Sequence, residues 1–511
     1  MYPGVHAATA PDRPAVIMSG SGRTLTYREL DDRSLRLADV LRRRGLRRGD
    51  VVALFSDNCP EVSEVYWAAL RSGLYVCAVN SHLGADEAAY IIDDSGARAL
   101  ISSAALAEVA AALPERLPRV ELLLAHGGAV PGHGDYERAL AAASAERPAH
   151  QPAGADLLYS SGTTGRPKGI KPALPDREVD EPDEGGLSSL LQQAFGFGPG
   201  MVYLSPAPAY HSAPLRYCGS VQAVGGTVVM MERFDPAEAL RAVERYRVTH
   251  SQWVPTMFVR MLKLDPEVRA RHDLSSMRVA VHAAAPCPVD VKRAMIDWWG
   301  PVLWEYYAAT EGIGMTLIDS ARWLDKPGSV GTGLLGELRI CDDDGAELPA
   351  GEVGTVYFAR DELTFEYLGD PEKTRSARHP EHPGWATVGD LGYLDEDGYL
   401  FLTDRKAFMI ISGGVNIYPQ EVENALALHP EVADVAVIGV PDEEMGEAVK
   451  AVVRPAPGAE PGPELAERIL RHVRDRLAHY KTPRSVDFVD ALPRTPTGKL
   501  VKGELKKRYA S

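Results

Sequence analysis

A run of hydroxyl residues, glycines and a lysine occupies residues 159–169, YSSGTTGRPKG. Serine and threonine hydroxyls, with the backbone N–H groups that glycines leave accessible, can surround a polyphosphate, and Lys168 adds a positive charge. The run lacks the Gly-Lys-Ser/Thr ending of the Walker A loop, because Lys168 follows Pro167 and precedes Gly169. It therefore predicts a phosphate-binding loop of another kind, with a plain surface loop as the alternative.

Three further clusters could bind parts of a nucleotide. EYYAATEG at 305–312 combines two aromatic rings that could face a base with a hydroxyl for a phosphate and a carboxylate for Mg2+. Asp390 lies in a glycine-rich stretch and could accept both hydroxyls of a ribose, although such an aspartate is also typical of turns. Turn residues precede Lys499 and would project it from the fold, as for an ordinary solvated lysine.

The order of these clusters resembles that of the adenylate-forming superfamily of acyl-CoA synthetases, carrier-protein adenylation domains and luciferases. The resemblance runs from about residue 10 to the C-terminus, and six motifs in the same order favour it over a chance match. They are YSSGTTGRPKG (159–169), PAYHSAP (208–214), YYAATEG (306–312), GDLGYLDEDGY (389–399), DRKAFMIISGGVNIYPQEVE (404–423) and PRTPTGKLVK (493–502).

The resemblance implies a two-step ligase that uses ATP, Mg2+ and coenzyme A. In that family a carboxylate attacks the α-phosphate of ATP, which gives an acyl-adenylate and pyrophosphate. A thiol, usually that of coenzyme A, then displaces AMP. The expected partners are thus a small-molecule carboxylic acid, ATP and coenzyme A.

The resemblance also implies a role for each matched residue. Lys499 is the expected catalytic lysine, which bridges the carboxylate and the α-phosphate, with Thr310 at the α-phosphate and Glu311 at Mg2+. His211 is expected beside the reacting carboxylate, with a packed histidine as the alternative. The expected ATP and coenzyme A contacts are Ser160, Ser161, Gly162, Thr163, Thr164, Gly165, Lys168, Ala284, Ala285, Pro286, Glu305, Tyr306, Tyr307, Asp390, Arg405, Gly413 and Gly414.

Within that set, Tyr307 is expected to stack on adenine, Asp390 to hold the ribose and Arg405 to bind the ribose or a phosphate. The two glycines after Ser412 are expected near the path of the thiol. The family's pivot for rotation of the C-terminal domain falls two residues after the arginine and is usually Asp or Lys. Here it is Ala407, so either Lys406 serves or an apolar pivot suffices.

The segments expected to form the acyl pocket are apolar or small and carry no clustered cation. They favour a hydrophobic acid, which could be fatty, aromatic or a bulky polycyclic acid of steroid or terpenoid type. Small residues at 308, 309 and 314 are expected to leave space. The predicted lining is Tyr210, His211, Trp253, Ala283, Ala308, Ala309 and Gly314.

Two other functions stay open. A free-standing adenylase that loads a carrier-protein thiol would share the first half-reaction, and coenzyme A dependence would separate it from a CoA ligase. A non-catalytic nucleotide-binding protein of the same fold would release no AMP with any carboxylate.

The elements that must position these motifs alternate along the first part of the chain. VVALFS (51–56), PEVSEVYWAALRSG (60–73) and YVCAVN (75–80) predict a strand, a helix and a strand. Similar units recur, for example at MRVAVHAA (277–284). The pattern predicts an α/β body of doubly wound, mostly parallel sheets.

Two segments depart from this pattern. Residues 171–186 are rich in Asp, Glu and Pro and predict a mobile, solvated loop. From about Asp404 the pattern becomes that of a compact α+β unit. We therefore expect an N-terminal adenylation body at 1–404 and a small mobile C-terminal domain at 405–511 that carries the catalytic lysine.

The composition limits the classes of partner. With 511 residues, of which 45% are apolar and 25% charged, the chain can form two or three domains. A net charge of −16 argues against nucleic acid, and no apolar run reaches transmembrane length. Five cysteines without metal-ligand spacing fit a reduced, cytoplasmic protein. A homodimer stays open.

Overall fold

A computed structural model describes residues 2–160, 167–182, 186–361, 363, 365–405, 408–494 and 500–509, without the side chains of Ser160 and Arg405. The chain forms two compact units. Unit 1 consists of Met1–Gln252, Glu267–Val279 and Thr364–Pro371, and unit 2 of Trp253–Pro266, Ala280–Leu363 and Glu372–Ser511. This division differs from the expected domains at 1–404 and 405–511, which stay a prediction.

The strands are numbered along the chain. The first are β1 (Pro14–Met18), β2 (Thr24–Thr26), β3 (Val51–Phe55), β4 (Tyr75–Val79), β5 (Ala97–Ser103), β6 (Leu122–His126), β7 (Gly134–Asp135), β8 (Ala155–Asp156), β9 (Leu158–Ser160) and β10 (Lys168–Pro172). Next come β11 (Val202–Ser205), β12 (Thr227–Met230), β13 (His250–Trp253), β14 (Val279–His282), β15 (Leu303–Ala308), β16 (Met315–Asp319), β17 (Thr332–Leu335), β18 (Glu337–Cys341) and β19 (Gly354–Ala359). The last are β20 (Phe365–Tyr367), β21 (Trp385–Ala386), β22 (Asp390–Leu394), β23 (Leu400–Arg405), β24 (Ile410–Ser412), β25 (Val415–Ile417), β26 (Val432–Asp442), β27 (Gly446–Pro455) and β28 (Ser485–Phe488).

The helices are numbered in the same way. The first are α1 (Pro3–Thr9), α2 (Tyr27–Arg43), α3 (Glu61–Leu70), α4 (Ala85–Asp94), α5 (Ala107–Ala110), α6 (Tyr136–Ala141), α7 (Leu187–Phe195), α8 (Ser212–Ala223) and α9 (Pro236–Tyr246). The others are α10 (Pro255–Leu262), α11 (Pro266–Ala270), α12 (Val289–Trp299), α13 (Ser320–Asp325), α14 (Pro371–Ser376), α15 (Pro419–Leu426), α16 (Pro463–Arg474) and α17 (Lys502–Arg508).

Unit 1 contains a parallel sheet with the strand order β7-β6-β5-β3-β4-β8. Its central strands β3 and β4 are buried along their whole length, as their continuous apolar sequences require. Helix α3 connects them, so the strand, helix and strand expected between residues 51 and 80 are confirmed. A second set of strands in this unit has the order β13-β11-β12-β1-β2. Its neighbouring strands pair in parallel, except that β2 is antiparallel to β1.

The acidic segment after the glycine-rich run is not a free loop where it is described. Its first residues belong to β10, which pairs with β9 and β20. Farther along, Val179 is 4% exposed and its N–H donates to Gln151 O at 2.8 Å, while Ala153 N–H donates to Arg177 O at 2.9 Å. The expected mobile loop is therefore wrong for residues 171–182, because backbone pairing and one buried apolar side chain hold the segment to unit 1. Residues 183–185 lie outside the described part.

Unit 2 carries the strands that position most of the predicted nucleotide contacts. Strand β14 pairs in parallel with β15, which continues through antiparallel β16 to β17. A separate antiparallel sheet has the order β18-β19-β22-β23, with β21 beside β19. The mostly parallel sheets and the C-terminal α+β segment confirm the expected α/β fold class.

The C-terminal segment has a sheet and cores of its own. The sheet order is β25-β24-β27-β26, and β28 lies parallel to β27. Leu465, Ile469 and Val473 recur every four residues along α16 and are fully buried against this sheet's apolar side chains. No helix in the described ranges combines the length and hydrophobicity that crossing a membrane requires.

Candidate active site

Two residues predicted to bind the nucleoside lie in contact in unit 2. Tyr307 lies in β15 and Asp390 begins β22, and the Tyr307 hydroxyl donates a hydrogen bond of 2.8 Å to Asp390 Oδ2. The ring of Tyr307 also stacks on Phe358, with centroids 5.8 Å apart and planes inclined by 29°. A flat aromatic ring thus lies next to a carboxylate that is 9% exposed. This arrangement suits a base and the ribose attached to it.

The loop that follows β14 has a strained backbone. Ala284 has a φ of +74°, which residues with a Cβ rarely adopt. Such a conformation costs on the order of 1–2 kcal/mol and persists only where the surroundings impose it. His282 pairs with Glu305 in the sheet, so the loop formed by Ala283, Ala284, Ala285 and Pro286 begins beside β15. Ala283 is buried, and Ala284 and Pro286 are exposed, as a backbone edge for adenine requires.

The turn between β15 and β16 carries Thr310 and Glu311, both half-buried. Gly312 closes this turn with a φ of +68° and an N–H bond of 3.0 Å to Ala309 O. Arg360 Nη1 donates to Gly312 O at 2.9 Å and ties the turn to β19. A half-buried carboxylate in such a turn could hold Mg2+, which is usually held by one or two protein carboxylates together with substrate phosphates.

Glu305 is engaged inside the core rather than turned toward a ligand. Its Oε2 accepts a hydrogen bond of 2.6 Å from Lys292 Nζ, and both side chains are almost completely buried. Lys292 Nζ also lies 4.8 Å from the ring centroid of Trp323. Tyr306, the next residue, is half-buried. Sequence reasoning missed Lys292, although a lysine between apolar positions of a helix that packs on a sheet is a signal of a buried ion pair.

His282 lies beside this ion pair and is fully buried, with its Nε2 3.7 Å from Glu305 Oε2. Neither ring nitrogen has a hydrogen-bond partner among the described residues. Burial, reinforced by the Lys292 charge, lowers the pKa of His282 well below 6.5. Burial also raises the pKa of the Glu305 carboxyl. The imidazole is therefore held neutral beside a buried ion pair.

The contribution of His282 to stability should consequently fall on mild acidification. Below the ordinary pKa of about 6.5 the unfolded chain binds a proton at His282 that the folded chain does not, so the free energy of unfolding decreases as pH drops. The slope from one such group reaches about 1.4 kcal/mol per pH unit. Urea unfolding of His282→Leu between about pH 5 and pH 7 should lack this contribution. The exposed His479 provides the control, and an unchanged slope in His282→Leu would exclude the effect.

In unit 1, Lys168 is held by a carboxylate. It begins β10, its Nζ contacts Asp370 Oδ2, and its backbone pairs with Ser160 in β9. The expected phosphate contacts between these two residues, Ser161, Gly162, Thr163, Thr164 and Gly165, lie outside the described part. The positive charge of Lys168 is therefore partly neutralised by Asp370.

The residues expected at the acyl pocket fall into separate environments. Tyr210 and His211 precede α8, and their rings lie 4.4 Å apart. The Tyr210 hydroxyl lies 3.4 Å from His82 Nδ1, and burial raises the pKa of Tyr210. Both side chains are half-buried and belong to unit 1.

Two other pocket positions are packed. Trp253 is 1% exposed, and its ring lies 5.4 Å from Trp299 and 6.2 Å from Phe258. A Cβ on Gly314 would lie 2.1 Å from Phe358 Cδ1, so the space expected at this glycine is filled by a phenyl ring. Sequence analysis could not reveal this, because Phe358 lies 44 positions away on another sheet. Ala308 is exposed and Ala309 half-buried.

The cysteine spacing does not predict a metal site, yet Cys59, Glu61 and His126 converge in unit 1 with their ligand atoms within 4.8 Å of one another. Both Glu61 oxygens accept hydrogen bonds from Arg23, at 3.1 and 2.5 Å. Ser56 Oγ lies 3.2 Å from His126 Nε2 and 3.4 Å from Cys59 Sγ. These contacts describe a polar network in which an arginine already neutralises the carboxylate.

Several predicted site residues lie outside the described part, so their expected roles stay predictions. They are Lys499, the hinge candidates Lys406 and Ala407, and the side chains of Ser160 and Arg405.

Family models match most of the chain. The model described as AMP-binding enzyme matches residues 5–368, and that described as AMP-binding enzyme C-terminal domain matches residues 421–499. The chain belongs to the AMP-binding enzyme family. It falls in the acyl-CoA synthetase branch of the adenylate-forming superfamily that its motifs resemble.

Relatives of this AMP-binding enzyme match it from end to end. A feruloyl-CoA synthase from Amycolatopsis sp. is 37% identical over 99% of this chain and 98% of its own length. The fatty acid–[acyl-carrier-protein] ligase ScoC from Streptomyces coeruleorubidus is 33% identical over 99% and 95%. A crystal structure of the anthranilate CoA ligase AuaEII in complex with anthranoyl-AMP superposes with a TM-score of 0.85 at 26% identity and covers 99% of this chain and 96% of that one.

The C-terminal segment of this AMP-binding enzyme presents a tight hairpin. Ser412 pairs with Val415, and the two turn residues Gly413 and Gly414 have φ of +58° and +78°. Two successive left-handed residues are typical of the hairpin turn that glycine favours. A Cβ on Gly413 would lie 2.4 Å from Met445 Cε, whereas Gly414 faces open space.

Gly414→Ala should therefore act through the backbone alone. The left-handed conformation costs alanine about 1–2 kcal/mol, so we expect a distorted hairpin and roughly tenfold slower transfer of the acyl group to coenzyme A. Adenylate formation should be unchanged, because the hairpin is expected near the thiol path only. Gly458, with a φ of +86° and open space around it, provides a matched control. Equal slowing of both half-reactions would contradict this assignment.

Proposed function

We propose that this enzyme activates a hydrophobic carboxylic acid as its acyl-adenylate and transfers the acyl group to coenzyme A. In the first step a carboxylate oxygen forms a bond to the α-phosphorus of ATP and pyrophosphate leaves. In the second step the sulfur of coenzyme A attacks the acyl carbon, and AMP leaves with the electron pair of the broken C–O bond. The observation that carries this proposal is the Tyr307–Asp390 contact, which joins two predicted nucleoside contacts from motifs 83 positions apart.

The proposed ATP contacts come from several of the motifs. Tyr307 stacks on adenine along the strained loop at Ala284, and Asp390 accepts the ribose hydroxyls. Thr310 binds the α-phosphate, and the glycine-rich run at 160–168 surrounds the phosphates that leave. These groups bind and orient the nucleotide, so most of the rate gain comes from positioning and charge stabilisation.

Glu311 would hold Mg2+, which neutralises phosphate charge when it is bound. The carboxylate is half-buried in a turn whose position Arg360 fixes through Gly312 O. Lys499 would bridge the acid's carboxylate and the α-phosphate. A contact of this kind at 4 Å is worth about 1 kcal/mol in water and about 4 kcal/mol at an effective dielectric constant near 20, so exclusion of water matters.

For the acid we propose an aromatic or fatty carboxylate with the acyl group near Tyr210 and His211. Two similar enzymes are named for aromatic acids, the feruloyl-CoA synthase and the anthranilate CoA ligase, and they support an aromatic acid here. The half-buried Tyr210 and His211 rings, 4.4 Å apart, support it as well. His211 would polarise or gate the carboxylate rather than move a proton, because adenylation needs no general base.

A panel of acids identifies the substrate. Purified enzyme is incubated with ATP, Mg2+, coenzyme A and one acid at a time from a panel of cinnamic, benzoic, medium-chain, long-chain, steroid-type and short polar acids, and thioesters are measured by mass spectrometry. We expect thioester from aromatic or fatty members and none without ATP. Turnover confined to short polar acids would refute the substrate class.

A carrier protein is the second candidate acceptor, because the carrier-protein ligase ScoC aligns over the whole chain. Comparing coenzyme A with a phosphopantetheinylated carrier protein at equal thiol concentration separates the two. A strong preference for the carrier would show that the carrier protein, and not coenzyme A, is the acceptor. The proposed adenylation step would be unaffected.

A further inference from the structure

The segments on either side of residues 495–499 are joined to each other. Arg494 and Leu500 form an antiparallel bridge, and Val501 N–H donates to Pro493 O at 2.8 Å. The described residues that flank positions 495–499 therefore lie next to each other.

Two ion pairs attach this place to the sheet and to α15, and we refer to them as the anchor pairs. Arg494 donates from Nε and Nη2 to the two oxygens of Asp434 in β26, at 2.7 and 2.6 Å. On the other side, Lys502 Nζ lies 2.9 Å from Glu423 Oε1 in α15. One anchor pair thus precedes the segment and the other follows it.

The Glu423–Lys502 pair is buried to an unusual degree. The two side chains are only 10% and 6% exposed. Glu423 Oε1 also accepts a hydrogen bond of 2.8 Å from Val437 N–H, and Lys502 Nζ lies 5.6 Å from the ring centroid of Phe408. Lys502 thus contacts Glu423 and Phe408, and Glu423 is held in turn by the backbone of β26.

Such a pair is a costly way to gain stability. Removing two charges from water carries a large desolvation penalty, and an apolar pair of similar volume often serves stability as well or better. Lys502 is moreover the first residue of α17, where the helix dipole disfavours a cation. A paired lysine is also held in one orientation, because its ammonium group must contact one carboxylate.

We propose that the anchor pairs are positioning residues that hold Lys499 in register with the reacting carboxylate and the α-phosphate. Lys502 lies three residues after Lys499 and Arg494 five before it, so the pairs fix the chain on both sides of the lysine. This inference rests on the role of Lys499 in the proposed function. A displacement of about 1 Å at a reacting group can slow a reaction about 100-fold.

The test separates the two half-reactions, because Lys499 is proposed to act in adenylation alone. Adenylation is measured as acid-dependent ATP–pyrophosphate exchange. Thioester formation is measured from synthetic acyl-adenylate and coenzyme A, without ATP. For Lys502→Met we expect about tenfold to hundredfold slower exchange and thioester formation within about twofold of wild type.

Further variants distinguish positioning from folding. Glu423→Gln/Lys502→Met removes both charges and leaves no unpaired buried ion, and Arg494→Gln tests the anchor pair that precedes the segment. Both should slow exchange alone. The charge-reversed pair Glu423→Lys/Lys502→Glu should recover part of the exchange rate. Arg468→Gln breaks a bidentate pair with Glu431 elsewhere in the C-terminal segment and should change neither half-reaction.

The outcomes distinguish this inference from the proposed function. Equal loss of both half-reactions in the folded double variant, or full exchange activity in all anchor variants, overturns the positioning role. Absence of exchange in wild type with every acid overturns the proposed function, and the inference with it. Exchange in wild type, lost in Lys499→Ala and reduced in the anchor variants, supports both.

Discussion

Lys499→Ala is expected to slow acyl-adenylate formation by about 100-fold to 1,000-fold, the usual loss when one group that stabilises a developing charge is removed. The carboxylate and the α-phosphate are both anions, so their approach requires a cation between them. The measurement is acid-dependent ATP–pyrophosphate exchange under saturating ATP.

Three further measurements accompany that experiment. ATP affinity, measured by calorimetry, should change little, because the nucleoside is proposed to be held by Tyr307 and Asp390 instead. Thioester formation from synthetic acyl-adenylate should continue. Lys168→Ala provides the lysine control and should lose less, since Lys168 is already paired with Asp370. Undiminished adenylate formation in Lys499→Ala would contradict the assignment.

Asp390→Asn should raise the KM for ATP by about tenfold to hundredfold. A hydrogen bond to a charged group contributes roughly 1.5–3 kcal/mol, and each 1.4 kcal/mol corresponds to a factor of ten. The variant keeps the volume of the side chain and removes its charge, so the loss measures the bonds that the carboxylate makes.

The proposed ribose contact supplies a more specific readout. Wild type should discriminate against 2′-deoxy-ATP and 3′-deoxy-ATP, and Asp390→Asn should lose this discrimination. Tyr307→Phe removes only the hydroxyl that donates to Asp390 and keeps the ring, so its KM should rise less than about tenfold. Unchanged discrimination in Asp390→Asn would assign the carboxylate to the Tyr307 contact alone.

Local sequence patterns were sufficient where chemistry depends on neighbours in the chain. Continuous apolar runs predicted the buried strands β3 and β4, and apolar residues spaced by four coincide with the buried face of α16. The motifs also predicted that Tyr307 and Asp390 bind one nucleoside, and their side chains are in contact although they lie on two sheets.

Features set by distant packing were not accessible in this way. The 171–182 segment is acidic, yet the pairing of Ala153 with Arg177 and the burial of Val179 hold it in place. A Cβ on Gly314 would collide with Phe358, which lies on a different sheet. The Lys292–Glu305 pair joins a helix to a strand, and neither residue's local pattern names its partner.

Carboxylate-dependent exchange of labelled pyrophosphate into ATP tests the central claim most directly, because it reports reversible adenylate formation before any thiol takes part. We predict exchange that requires Mg2+ and a hydrophobic aromatic or fatty acid, proceeds without coenzyme A, and disappears in Lys499→Ala. Exchange that is absent with every acid in a folded enzyme that binds ATP would contradict the account.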